Sequence, residues 1–141
     1  MPNLKNGIIY KLICKDKKIN QIYIGSTINL INRISLHKRD CLTKNTKLYK
    51  CIRNNGGFKN WEFKKIANIV SENNKDIRKL ERFYFEHYKP VLNKNYPIRS
   101  RAEYRQVKYY CNCCNREYPR NNKSHHEKTK KHIKNLNSIS I

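Results

Sequence analysis

Cys111 and Cys114 are separated by two residues, and after a loop of eleven residues His126 and His132 follow with five residues between them. Two thiolates at this spacing, with two imidazoles about one and a half helical turns apart, can surround a tetrahedral structural zinc ion. No other feature constrains the fold as much. A tail of about thirty residues is too short to bury an adequate core, so it must fold around the metal. The residues before it are enough for one modest domain with a single core. Cys113 and His125 are the competing ligands. Adjacent thiolates at 113 and 114 chelate poorly, and His125 would stretch the histidine gap to six, so the expected ligands are Cys111, Cys114, His126 and His132.

The chain carries 32 Lys and Arg against 10 Asp and Glu, a net charge of +22. Such a charge repels itself in a compact molecule and favours a polyanionic partner. Nucleic acid fits this better than an anionic membrane, because no apolar run approaches the roughly 20 residues of a membrane span, and no signal-peptide pattern opens the sequence. Lys, Asn, Ile and Tyr make up about half the chain, a bias that an A+T-rich genome explains better than protein physics. Part of the charge is therefore drift, yet acidic residues stay few throughout. Cys14, Cys41 and Cys51 are scattered and read as small buried apolar residues, unlike a disulfide framework; the pattern suits an intracellular, reducing compartment.

Residues 7–15 and 19–25 are rich in Ile, Tyr and Leu around the polar Asp16-Lys17-Lys18, which predicts a β-hairpin. Thr27 or Asn29 can cap a helix ending near Asp40, with Leu30, Ile31, Ile34 and Leu36 as its apolar stripe. A short helix is expected over residues 47–54, where Leu48, Cys51 and Ile52 share a face and Gly56-Gly57 stops it. Trp61, Phe63, Ile66, Ile69 and Val70 suggest a third strand with imperfect alternation. Ile77, Leu80, Phe83, Tyr84 and Tyr88 recur at helical spacing over residues 74–87, and Pro90 ends that run. The order implies an α+β fold, a small three-stranded sheet flanked by helices. From Lys94 to Lys108 the chain loses its apolar periodicity, and 96–108 read as a basic linker, with room for one helical turn.

Phosphodiester hydrolysis needs a group that activates water, a cation at the scissile phosphate and stabilisation of the leaving oxygen. Tyr10 and Tyr23 on adjacent strands can converge on one face. Arg33 and His37 lie four apart on the first helix and project from the same side, and Glu81 offers the hard oxygen that Mg²⁺ requires. Singly each has a plainer explanation: strand tyrosines usually pack, Arg/His pairs on basic helices are solvated, and Glu81 can pair with Arg78 or Arg82.

Their order is more informative. Ile8-Ile9-Tyr10, then Tyr23-Ile24-Gly25, an Arg-x3-His helix, and a Leu-Glu-x-Phe-Tyr-Phe helix followed by Val-Leu-Asn resemble the GIY-YIG nuclease superfamily over residues 7–95. The resemblance implies that Tyr10 and Tyr23 are the paired site tyrosines, Tyr23 activating water, and that Arg33 stabilises charge on the phosphate. By the same resemblance His37 supports Tyr10 or the water, Glu81 holds a single Mg²⁺ or Mn²⁺, and Asn93 orients the site. Glu86 is the rival carboxylate, but it follows the Phe-Tyr-Phe segment whereas the family glutamate precedes it. Two departures stand out. Gly7 is displaced by one from the family's first glycine, and no histidine lies between His37 and His87, where some homing-type members carry one; Thr43 or Asn45 occupies that neighbourhood.

The tail resembles matrin-type or double-stranded-RNA-binding Cys2His2 fingers, which implies a ββα zinc finger with Lys123, Lys128, Lys130, Lys131 and Lys134 on or beside its helix, suited to phosphate contacts. The expected organisation is a nuclease domain over 1–95, a linker over 96–108 and a finger over 109–141. In an A+T-rich sequence the combination resembles free-standing members of the superfamily in large DNA viruses. The expected function is metal-dependent endonucleolytic cleavage of DNA, with structured RNA as the alternative partner. A catalytically inactive nucleic-acid-binding protein on the same scaffold is the rival. A protein-interaction adaptor would not need this charge.

Overall fold

The computed structural model describes residues 1–139, the side chain of Tyr104 excepted. It contains two compact units, Met1–Ile98 and a second beginning at Arg99.

In the first unit β1 (Lys5–Cys14), β2 (Ile22–Thr27) and β3 (Trp61–Ser71) form an antiparallel sheet in the order β2-β1-β3. The β1–β2 turn is held by Asp16, whose carboxylate accepts from the Lys18 amide and whose carbonyl accepts from Ile19. The strands sort their side chains by alternation. Leu12 and Cys14 face a core with α1 (Leu30–Thr43) and α2 (Lys47–Asn54), built from Cys41, Leu48, Tyr49, Ile52, Trp61 and Leu92. Ile9 and Ile24 face the other way, onto Ile77 of α3 (Asn74–Tyr88). The sheet thus lies between two helical layers.

The imperfect alternation of β3 has a local cause. Its pairing shifts as Ile9 opposes Ala67 while Tyr10 opposes Lys65, leaving Ile66 as the extra residue of a bulge. Trp61 and Phe63 before the bulge join the α1/α2 core, whereas Ala67 and Ile69 after it join the α3 core. Without the bulge all four, at odd positions, would lie on one face.

The helices form from ordinary capping signals, but α1 corrects the expected stripe. Asn29 is its N-cap, accepting from the Asn32 amide at 3.0 Å. Ile31 is 80% exposed and Leu36 is also exposed; the buried side chains are His37 and Cys41. A polar ring can take the core-facing position because both its nitrogens find hydroxyl partners there. On α2, capped by Thr46, the buried residues are Leu48, Tyr49 and Ile52, and Cys51 is half-buried. On α3 the apolar spacing is only partly inward: Ile77 is buried with Leu80, Tyr84 and Tyr88 against the core, while Phe83 is 62% exposed. Cys14 and Cys41 are buried, and all six cysteines are free.

In the second unit, Ser100 and Glu103 make a reciprocal capping box that starts α4 (Arg101–Gln106), so the stretch read as a linker contains a capped helix grouped with this unit. A hairpin of β4 (Lys108–Cys111) and β5 (Arg116–Pro119) follows, then α5 (Lys123–Glu127) and α6 (Lys130–Ile139). No helix among the described residues is long and apolar enough to cross a membrane.

Candidate active site and metal centre

Register brings the two strand tyrosines together. Tyr10 opposes Gly25 and Leu12 opposes Tyr23 across β1 and β2, so both tyrosines stand on the α1 side as diagonal neighbours, ring centroids 6.3 Å apart. Gly25 is required by close approach: a Cβ there would lie 2.5 Å from the Tyr10 hydroxyl oxygen and 2.9 Å from Cε1 of Tyr23. Gly7, the displaced glycine, has a different task. A Cβ on it would lie 2.6 Å from Cγ1 of Ile77, so its absence lets α3 seat closely on the sheet.

Arg33 and His37, one turn apart on α1, descend onto this pair. Arg33 Nε donates to the Tyr10 hydroxyl at 3.0 Å, and His37 Nε2 is 2.8 Å from the same oxygen. The Tyr23 ring stands beside this cluster, its centroid 6.3 Å from that of Tyr10 and 5.6 Å from that of His37. On its other side His37 Nδ1 meets the Tyr49 hydroxyl at 3.0 Å. Phe63 completes the wall, its ring 5.2 Å from that of Tyr10 and 5.5 Å from that of His37.

Burial sets the protonation states. It pushes the Tyr10 and Tyr23 hydroxyls up, the neighbouring tyrosine and Glu81 adding to the rise in Tyr10, while the Arg33 charge and hydrogen bond oppose it. Burial, then the Arg33 charge, pushes His37 down to about 4, so its ring is neutral at physiological pH. The site at neutral pH holds two phenols, a neutral imidazole and a permanent guanidinium.

Glu81 comes from the opposite layer. Ser26, on the α3 face of edge strand β2, donates to Glu81 Oε2 at 2.5 Å. Burial raises the Glu81 carboxyl, and the Ser26 hydrogen bond with the charges of Arg78 and Arg33 draws it back. A carboxylate with one oxygen fixed by a hydroxyl suits Mg²⁺, which takes one or two protein carboxylates and completes its shell with waters and phosphate. Glu86 lies elsewhere, paired with Arg82 and accepting from Tyr96. Asn93 is on the backbone instead of the tyrosines: its Oδ1 accepts from the Ile24 amide at 2.9 Å and its Nδ2 donates to the Ile24 carbonyl at 2.7 Å. With Leu92 donating to the Ile22 carbonyl, this segment pairs along the open edge of β2 and fixes the strand between Tyr23 and Gly25.

The second unit gathers Cys111, Cys114, His126 and His132, all four ligand atoms lying within 4.8 Å of one another. The three separations from His132 are close to those of a zinc tetrahedron. Bonds of about 2.3 Å to sulfur and about 2.0 Å to nitrogen put sulfur about 3.5 Å from nitrogen and the nitrogens about 3.3 Å apart. His132 Nδ1 is 3.4 Å from Cys111 Sγ, 3.7 Å from Cys114 Sγ and 3.2 Å from His126 Nε2. Cys113 and the exposed His125 fall outside this set. The five-residue histidine gap is accommodated by a break between α5 and α6, where Thr129 accepts from the His132 amide. Asn135 donates to Cys114 Sγ, and the Tyr118 ring stacks on His126 at 3.8 Å. Lys123, Lys128, Lys130, Lys131 and Lys134 are all exposed.

Ser26, Tyr49 and the backbone clamp by Asn93 are absent from a reading of the sequence. Ser26 directly follows the Tyr-Ile-Gly run and was within reach of such a reading; Tyr49 carried no signal. A profile of the GIY-YIG catalytic domain matches residues 6–96. Comparison with curated proteins returns no match, nor does comparison with solved structures. The matched segment contains the paired tyrosines, the Arg-x3-His helix, Glu81 and Asn93 in one sheet-centred unit, and the chain belongs to the GIY-YIG family of nuclease-type enzymes.

Proposed function

We propose that this protein is a divalent-metal-dependent endonuclease that hydrolyses phosphodiester bonds in DNA, with a zinc-organised second unit that adds affinity for the polyanion. The observation that carries the reading is the convergence of Tyr10, Arg33 and His37 in one hydrogen-bonded cluster with the Tyr23 ring packed beside it. In this reading Tyr23 orients and activates the attacking water, and Arg33, charged at every relevant pH, stabilises the negative charge that grows on the phosphate. His37 and Arg33 together hold Tyr10 in place. Glu81 is the residue that would hold Mg²⁺ or Mn²⁺, which when bound supplies Lewis-acid neutralisation at the phosphate. Cys111, Cys114, His126 and His132 would hold a structural Zn²⁺, and the exposed lysines around them contact phosphates without reading sequence.

The test is incubation of the purified protein with supercoiled plasmid in Mg²⁺ or in EDTA, with Glu81→Ala alongside. Nicking or linearisation that needs the metal and is lost in Glu81→Ala supports the reading. A plasmid that is bound tightly yet stays intact under every condition identifies a catalytically silent nucleic-acid-binding protein instead.

A further inference from the structure

His37 is buried between two hydroxyls, Tyr10 on Nε2 and Tyr49 on Nδ1. A neutral imidazole has one N–H and one lone pair, so these two bonds must run in the same direction along the chain of groups. In one direction Tyr10 donates to Nε2 and Nδ1–H donates to Tyr49. In the other Tyr49 donates to Nδ1 and Nε2–H donates to Tyr10.

The surroundings distinguish them. Among the described residues His37 is the hydrogen-bond partner of the Tyr49 hydroxyl, and Tyr49 is buried. The first direction therefore leaves the Tyr49 hydrogen without an acceptor in the core, at a cost of about 1–3 kcal/mol. The second direction uses every hydrogen. The Tyr10 oxygen then accepts from both Arg33 Nε and His37 Nε2, and its own hydrogen is left for the neighbouring Tyr23, whose ring stands on the same face with centroids 6.3 Å apart.

We infer that Tyr49 is a positioning residue of the nuclease site: its hydroxyl donates to His37 Nδ1, fixes the Nε2–H tautomer, and so turns the Tyr10 hydrogen toward the Tyr23 oxygen. Resting on the reading of Tyr23 as the water-activating group, this gives Tyr49 an effect on chemistry without contact with substrate. A hydrogen bond from Tyr10 favours negative charge on the Tyr23 oxygen, and Tyr49 holds it in that direction from two residues away in the network. Tyr49 reaches His37 from α2.

The test uses the full-length protein with ¹⁵N-labelled histidine. At pH 7 the wild-type His37 ring, assigned by loss of its signals in His37→Gln, should show a protonated Nε2 and a pyridine-type Nδ1. In Tyr49→Phe, which keeps the ring and its packing, the Nδ1 signal should move downfield as it loses its donor, and single-turnover cleavage should fall about 10–100-fold, the usual cost of losing an orienting partner. A protonated Nδ1 in the wild type overturns the inference whether or not the variant folds. So does a folded Tyr49→Phe whose Nδ1 signal is unmoved or whose cleavage is undiminished. Should wild-type protein fail to cut DNA while both nitrogen signals behave as expected, the nuclease reading fails and the direction of the network stands.

Discussion

Gly25→Ala should disable the site out of proportion to its effect on the fold. The added Cβ would sit 2.5 Å from the Tyr10 hydroxyl oxygen, 2.7 Å from Cζ of the same ring and 2.9 Å from Cε1 of Tyr23. Ordinary contacts begin about 3.5 Å apart, so the Tyr10 hydroxyl must retreat by about 1 Å. That hydroxyl is not a free end: the ring is fully buried, and Arg33 and His37 both hydrogen-bond the oxygen. Overpacking of this kind costs about 1–3 kcal/mol, whereas a misplacement of about 1 Å in a site's orienting groups costs about 10²-fold in rate. The expected result is a chain that still unfolds cooperatively, with a melting temperature lower by about 4–8 °C for each kcal/mol lost, and single-turnover cleavage at saturating enzyme down about 100-fold. Combining Gly25→Ala with Tyr10→Phe should recover part of the lost stability, since the nearest clashing atom is gone, but not the rate. Wild-type rate and melting temperature in Gly25→Ala would refute the argument that Tyr10 lies against this glycine.

Arg33→Ala and Tyr23→Phe should each slow the chemical step by about 10²–10³-fold with duplex binding little changed; single-turnover rates matching wild type would make both residues packing groups. Elemental analysis should find one Zn²⁺ per chain, lost in Cys111→Ser together with the circular-dichroism signal of the second unit. Replacing Lys130, Lys131 and Lys134 by Ala should flatten the slope of log affinity against log salt by up to about 3, and an unchanged slope would remove α6 from the DNA contact. His37 is pushed down to about 4 in the folded chain from an ordinary 6.5, so below pH 6.5 the unfolded chain takes a proton that the folded one refuses. Stability present above pH 6.5 is lost progressively down to pH 4, by about 3 kcal/mol. Urea unfolding across this window should show a shallower loss in His37→Gln, and equal losses would contradict a neutral buried ring.

Much of the architecture was legible in the chain because periodicity and spacing report on neighbours along it. Alternation around Asp16-Lys17-Lys18 gave the β1–β2 hairpin, the 3.6-residue recurrence from Ile77 to Tyr88 gave α3, and the Cys-x2-Cys and His-x5-His spacings picked out the four residues that lie within one cage. The GIY-YIG resemblance carried the family assignment, since Tyr10, Tyr23, Arg33, His37 and Glu81 occur in an order that no single residue reveals. Helical periodicity misled at α1, where the apolar stripe through Ile31 meets solvent and a histidine faces the core. Which side of a helix is buried depends on what its neighbours offer, and here the sheet offers the hydroxyl of Tyr10 and the adjoining helix that of Tyr49. The bulge at Ile66 follows the same rule, because one extra residue exchanges the faces of everything after it. Tyr49 lies 12 residues from His37, and Glu81 55 from Ser26. Sequence by itself determined most of the elements, the four clustered cysteines and histidines and the family; tertiary structure alone decided these pairings, because they join residues of separate elements that meet only once the helices have packed on the sheet.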